Sequence, residues 1–329
     1  MEQPDTTITT PQETGDKAKR GQRKLLLNLL KFVISAGLIY WMLRSTELSE
    51  IFAAIREATF GLLLIAISLH LMGFAIGAFR WRLLLRSRGS DASIRFLIES
   101  YIVGMFFNNF LPSTIGGDVY RTYDSWRLGQ SKSSALAVVF VDRFLGLMTL
   151  VLFALLALFS ANELTQSIPY LSLWLGLGLS GMVAVVWLLF FPPHWLPTFI
   201  ANLKLPFGDK IRGILEAFLA FRGQRSVLVK ALLLSALLQV NVIVHYYLIA
   251  LALSLPVPFV SFFLIIPLAT VITMLPISVN GIGVRENVYI FFFAPFAVSR
   301  PEAVAFAWIA YGMVVLQGLL GGILYALRR

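Results

Sequence analysis

Two short runs hold most of the chemistry this chain could perform. The first reads Leu111-Pro112-Ser113-Thr114-Ile115-Gly116-Gly117-Asp118-Val119-Tyr120-Arg121. The second reads Leu275-Pro276-Ile277-Ser278-Val279-Asn280-Gly281-Ile282-Gly283-Val284-Arg285. Both fit L-P-x-[ST]-[IV]-x-G-x-x-x-R without a gap, and their prolines stand half the chain length apart. Proline lacks a backbone donor and ends a helix, while glycine allows positive φ and close backbone approach. Backbone N–H groups freed in this way can hold an anion, and an arginine nine residues after each proline can add a bidentate contact to phosphate. Two Pro/Gly kinks that only tighten helix packing are the alternative.

Polar residues gather around both runs. Asn108 and Asn109 precede the first Leu-Pro and can bond within a hairpin or to a ligand, or serve as helix caps. Asp142-Arg143 lies inside an apolar stretch, where charges are expensive and usually functional. Asp142 is placed to meet Arg121, and Arg143 to meet Asp118; an interfacial pair reaching the headgroups is the alternative. Glu286 follows Arg285 and suits the positive end of a helix. The candidate lipid-binding set is therefore Asn108, Asn109, Pro112, Ser113, Thr114, Gly116, Gly117, Asp118, Arg121, Asp142, Arg143, Pro276, Ser278, Asn280, Gly281, Gly283, Arg285 and Glu286.

Other polar groups read more plainly. Glu99 stands at i,i+4 from Arg95 and suggests a local ion pair. Gln239, Asn241 and His245 fall on one apolar stretch as helix-to-helix glue, with proton coupling as the alternative. His70 reads as a packing residue. Gln317 followed by Gly318, Gly321 and Gly322 marks close helix contact through small residues. Arg80, Arg82, Arg86 and Arg88 with Trp81 form a basic cluster expected to orient the chain and attract anionic lipid.

Enzyme chemistry has little to work with. There are no cysteines, and the three histidines are far apart in sequence. Asp118, Asp124 and Asp142 show no recognisable metal spacing. No catalytic residue, metal or cofactor is expected, and the chain is not expected to be an enzyme; an intramembrane enzyme acting on lipid or polyprenyl phosphate is the competing reading.

The elements that must position these residues follow from composition. Of the 329 residues 58% are apolar and only 13% charged, about half the charge of a soluble domain, and the mean hydropathy is +0.81. An ordinary soluble fold is excluded. The net charge of +10 points to cytoplasmic loops and anionic headgroups instead of nucleic acid. Apolar stretches at Leu25–Leu43, Phe60–Phe79, Ser134–Phe159, Leu171–Phe191, Val227–Leu253 and Ala303–Leu327 are each long enough to cross a membrane. Ile94–Leu111 and Phe259–Leu275 are shorter and end in Leu-Pro, which suggests broken helices returning to the side they entered from.

The expected fold is thus an all-α integral membrane protein with about six full transmembrane helices and two re-entrant broken-helix hairpins. Residues 1–24 read as a disordered basic cytoplasmic tail. Residues 25–329 read as a single transmembrane domain, with repeat one over about 25–165 and repeat two over about 166–329. With the N-terminus inside, most of the 27 basic residues fall in cytoplasmic segments, and the outside segments hold Arg44, Arg56 and Arg300. Both termini are then cytoplasmic, and the halves are inverted copies, an architecture that recurs in secondary transporters. Residues Ile211–Phe221 have the pattern of an amphipathic interfacial helix.

The two Leu-Pro/Gly runs, Asp142-Arg143 and Asn280 through Glu286 resemble, in order and spacing, the flippase-like family, also called the lysylphosphatidylglycerol synthase transmembrane region. The resemblance covers the chain from about residue 25. It implies a stand-alone transmembrane member without a cytoplasmic synthase domain, in the plasma or inner membrane, that moves or binds a lipid with a phosphate-bearing headgroup at the paired hairpins. The substrate does not carry over; a competing reading is a chain that moves no lipid and presents it to a separate lipid-modifying enzyme or glycosyltransferase as partner.

Overall fold

The computed structural model describes residues 47–110, 116–158, 170–190, 223–275 and 277–328, together with Phe221 and the isolated positions Leu26, Leu29, Val33, Gly37 and Tyr40. The basic tail, most of the first apolar stretch, the 211–221 interfacial helix apart from Phe221, and Pro112, Ser113, Thr114 and Pro276 lie outside the described residues.

Among the described residues every regular element is helical. In chain order they are α1 (Leu48–Glu57), α2 (Phe60–Arg86), α3 (Ile94–Phe110), α4 (Gly116–Arg127), α5 (Lys132–Leu158), α6 (Leu171–Phe190), α7 (Arg225–Ala252), α8 (Phe262–Met274), α9 (Val284–Phe293) and α10 (Arg300–Leu327). Four of them, α2, α5, α7 and α10, are long and apolar enough to span a bilayer. At 27 or 28 residues each extends about 40 Å at 1.5 Å per residue, beyond the roughly 30 Å hydrocarbon layer. They account for four of the six expected spans. A fifth, read as Leu171–Phe191, is helical over the 20 residues of α6.

Local chemistry sets the boundaries. The Ser93 hydroxyl accepts from the Phe96 N–H ahead of α3, and Ser131 does the same for Ser134 at the start of α5. A capping box opens α10: the Ser299 N–H and hydroxyl both donate to the Glu302 carboxylate, and Pro301 sits in the first turn.

The apolar residues divide between lipid and core. Leu64, Leu136, Leu156, Leu233, Leu237, Leu319 and Ile323 on the long helices are exposed, as suits a face meeting acyl chains. One core joins α7, α8, α9 and α10 through Ile249, Phe262, Tyr289, Phe293 and Phe306. Another joins α2, α3, α5 and α7 through Trp81, Leu84, Leu97, Val138, Val141 and Ala231.

Helices α2 and α7 pack along their length and run antiparallel. Arg80, late in α2, reaches Ser235, early in α7; near the other ends, the His70 and His245 rings are 4.8 Å apart, and His245 Nδ1 bonds the Ala66 carbonyl. The other contacts come in matched sets. Helix α2 packs on α3 as α7 does on α8, α3 on α4 as α8 on α9, and α4 on α5 as α9 on α10. The halves also cross: α3 packs against α10, and α8 against α5. The helices that flank the two Leu-Pro runs therefore pair as hairpins, α3–α4 and α8–α9, each gripped by the long helix of the opposite half.

Close approach at these crossings depends on glycine. A Cβ on Gly321 of α10 would collide with the Ile102 carbonyl of α3, and one on Gly318 would collide with the Asn109 amide. The small-residue pattern after Gln317 thus does what its spacing suggests.

Candidate functional site

At the first hairpin the chemistry converges on one buried carboxylate. Asp142 of α5 accepts from Arg80 Nε at 2.6 Å and Nη2 at 3.0 Å, from Arg121 Nη2 at 2.9 Å, and from the Tyr101 hydroxyl at 3.1 Å. Arg80 Nη1 also donates to Ser235 Oγ at 2.7 Å, so α2, α3, α4, α5 and α7 are tied together here. The Arg121 guanidinium lies 4.5 Å from the Trp81 ring and 4.0 Å from the Tyr101 ring, which stabilises a cation withdrawn from water. Its Nη1 stands 3.7 Å from Asp118, whose other oxygen pairs with Arg143. Both cross-pairings read from the sequence, Asp142 with Arg121 and Arg143 with Asp118, are present.

The hairpin itself is closed by Asn108, whose Oδ1 accepts from the Gly117 N–H at 2.7 Å and so caps α4. The chains are so close that a Cβ on Gly117 would stand 2.5 Å from the Gly104 carbonyl oxygen. Gly116 is buried at the start of the same helix.

The second hairpin is built differently. Asn280, Gly281 and Gly283 take φ of 51°, 76° and 81°, a left-handed turn for which glycine, and to a lesser extent asparagine, is suited. Glu286 accepts from the Gly283 N–H at 2.8 Å and caps α9. Arg285 folds back to donate Nη2 to the Asn280 carbonyl at 3.0 Å and lies 4.0 Å from the Tyr311 ring. Among the described residues no carboxylate pairs with Arg285. Its Nη1 and the Ser278 hydroxyl are buried without a hydrogen-bond partner.

The two hairpins touch. Asn280 Nδ2 donates to the Asn109 carbonyl at 2.6 Å, and Asn109 Nδ2 donates to the Val314 carbonyl of α10 at 2.9 Å. Against the first hairpin is a cavity of about 290 Å³. Asn108, Gly117, Asp118 and Arg121 of the first hairpin line it on one side, and His70, Gly73 and Gln239 of the antiparallel α2–α7 pair on another. The amide nitrogen of Gln239 and Nδ1 of His70 are buried and unpartnered. Two unused hydrogen-bonding groups beside an ion network can serve a polar group that would otherwise have no partner in the membrane.

Several assignments change. Arg80 does not belong to the surface cluster: it is only 6% exposed and is the closest cation to Asp142. Gly73, Gly77 and Arg80 share one helix face at i, i+4 and i+7, and that spacing was the available signal. Arg82 and Arg86 do stay at the surface, where their hydrogen bonds to Asp91 hold its carboxyl well below the usual carboxylate range. Glu99 bonds Arg95 as expected but also Arg328, whose guanidinium in turn reaches Tyr120 and Asp124. Tyr101, Ser235 and Gln239 were not among the candidates. Their polar atoms are ordinary in type, and only the packing of α3 and α7 brings them to the site.

Residues 28–321 match the family described as the lysylphosphatidylglycerol synthase TM region. The chain belongs to that family. A UPF0104 membrane protein of Pyrococcus horikoshii is 24% identical over 336 aligned positions, covering 93% of this chain and 98% of that protein. A UPF0104 membrane protein of Methanothermobacter thermautotrophicus is 26% identical over 280 positions, covering 78% and 82%. Membership of the lysylphosphatidylglycerol synthase TM region family agrees with a multi-pass, all-α membrane protein in a lipid-related role.

Proposed function

We propose that this protein is a lipid translocator that holds an anionic, phosphate-bearing headgroup between its two hairpins and carries it across the cytoplasmic membrane, both termini being cytoplasmic. The observation that supports this most is the meeting of the two hairpins, Asn280 against the Asn109 carbonyl, with a cavity against the first hairpin whose lining includes the unpartnered polar atoms of His70 and Gln239. Irregular backbone at membrane depth is tolerated where protein or a polar cavity covers it, and in transporters such interruptions from two inverted halves meet around the substrate. The antiparallel α2–α7 pair and the matched contacts of the halves fit that arrangement. Rocking one half against the other around the junction then exposes the cavity to each leaflet in turn. No residue is given a catalytic role, and no metal or cofactor a place.

The test is reconstitution in liposomes with fluorescent lipids, following loss of signal as a membrane-impermeant quencher reaches the headgroups. Faster leaflet exchange than in protein-free vesicles is expected for phosphatidylglycerol. Exchange no faster than in empty vesicles sinks the carrier reading. If the protein also co-purifies with a lipid-modifying enzyme or glycosyltransferase, a lipid-presenting role takes its place.

A further inference from the structure

The repeat places Arg121 and Arg285 at the same position of two similar runs, yet their surroundings differ in the one respect that matters for an anionic ligand. Arg121 is 6% exposed, bonded to Asp142 at 2.9 Å and 3.7 Å from Asp118. Its charge is already answered by carboxylate, although its Nε, like Nη1 of Arg285, is buried without a hydrogen-bond partner. An anion arriving there would have to displace a carboxylate buried with two guanidiniums, and breaking such a pair leaves an uncompensated charge in low dielectric.

Arg285 has no such partner among the described residues. It makes one hydrogen bond, to the neutral Asn280 carbonyl, and lies on the Tyr311 ring. The carboxylate nearest in sequence, Glu286, is turned to the Gly283 N–H and forms no ion pair with it. The buried Arg285 Nη1 and the buried Ser278 hydroxyl in the same turn are both donors without an acceptor. A buried donor left unmade costs about 1–3 kcal/mol, more when charged, so a ligand oxygen here relieves a penalty that the fold alone leaves standing.

We infer that the headgroup phosphate is anchored asymmetrically, by Arg285 with Ser278 at the second hairpin, and that the Arg80–Asp142–Arg121 network is a positioning framework that contacts no phosphate. One uncompensated guanidinium neutralises one charge, so the site suits a phosphodiester monoanion over a phosphomonoester, which carries up to two. This rests on the carrier reading, but it is tested by binding alone: a protein that binds selectively and moves nothing across the membrane defeats the carrier reading and leaves this inference standing.

The experiment measures binding of fluorescent phosphatidylglycerol, phosphatidic acid and diacylglycerol to the full chain in nanodiscs, with thermal unfolding of each variant followed in parallel. For Arg285→Gln, phosphatidylglycerol binding is expected to weaken roughly tenfold to a hundredfold, the range set by losing a charge-assisted hydrogen bond. Diacylglycerol binding is expected to stay unchanged and the unfolding midpoint to move by no more than a few degrees, and Arg285→Lys, which keeps the charge, should retain most of the affinity. Unchanged phosphatidylglycerol binding in Arg285→Gln overturns the proposal. So does Arg121→Gln losing that binding at an unchanged midpoint, or phosphatidic acid binding the unaltered protein as tightly as phosphatidylglycerol. Failure of soluble glycerophosphoglycerol to compete supports a lipid as the source of the phosphodiester; competition at equal concentration assigns the site to a soluble phosphodiester and overturns the lipid assignment.

Discussion

The two hairpins share a sequence pattern and differ in what holds them together. The first is rigid through charge and contact: Asp142 binds two arginines and a tyrosine, and Gly117 lies against the Gly104 backbone. The second is held through backbone geometry, with three left-handed residues in its turn and a glutamate cap on α9. Its arginine is left with a neutral carbonyl and an aromatic ring. A motif of matched proline, glycine and arginine thus specifies a turn, but not what the arginine is for. That is decided by whether a neighbouring helix brings a carboxylate. Helix α5 brings Asp142 to Arg121; in the opposite half, α10 brings the Tyr311 ring to Arg285.

The sharpest break in this comparison is Asp142→Ala. Removing the carboxylate leaves Arg80 and Arg121 buried without their acceptor, and the expected loss is about 3–5 kcal/mol, read as a large fall in the unfolding midpoint in detergent. A fall no bigger than that of an exposed surface variant would mean the network does not hold the first hairpin.

A smaller effect compares the glycines. Gly117→Ala forces a Cβ against the Gly104 carbonyl and should cost about 1–3 kcal/mol by overpacking. Gly281→Ala meets only ordinary contact with Thr273 at 3.4 Å but must keep φ at 76°, which costs about 1–2 kcal/mol. Thermal unfolding ranks the two, and a larger loss at Gly281 reverses the proposed contrast between contact and backbone geometry.

The smallest expected effect is at the junction. Asn280→Gly suits the φ of 51° and removes only the bond to the Asn109 carbonyl, worth about 1 kcal/mol, so the midpoint should shift little. Leaflet exchange should change much more if the two tips work as one site. An unaltered exchange rate would separate the tips.

Much of this was legible in the sequence. Helix class, the long apolar spans, the hairpins at Leu-Pro and the pairings of Asp142 and Asp118 followed from hydropathy, proline and the rarity of charge at membrane depth. Arg80 was not legible in the same way, because it sits three residues past a glycine face yet opens a run of surface arginines, and composition weighs the run more heavily. Gln239 and His70 were visible only as polar residues on apolar helices; that they share a cavity depends on the antiparallel pairing of α2 and α7.

What the sequence alone determined is everything local: which stretches enter a membrane, where each helix must stop, and which turns need left-handed residues. These follow from the hydrophobic effect and the backbone, both of which act within a few residues. Which arginine is neutralised and which is left to meet a ligand was decided only by tertiary structure, because a counter-ion acts through distance, and Arg80 and Arg121 each come within 3 Å of the Asp142 carboxylate only when helices from separate parts of the chain have packed.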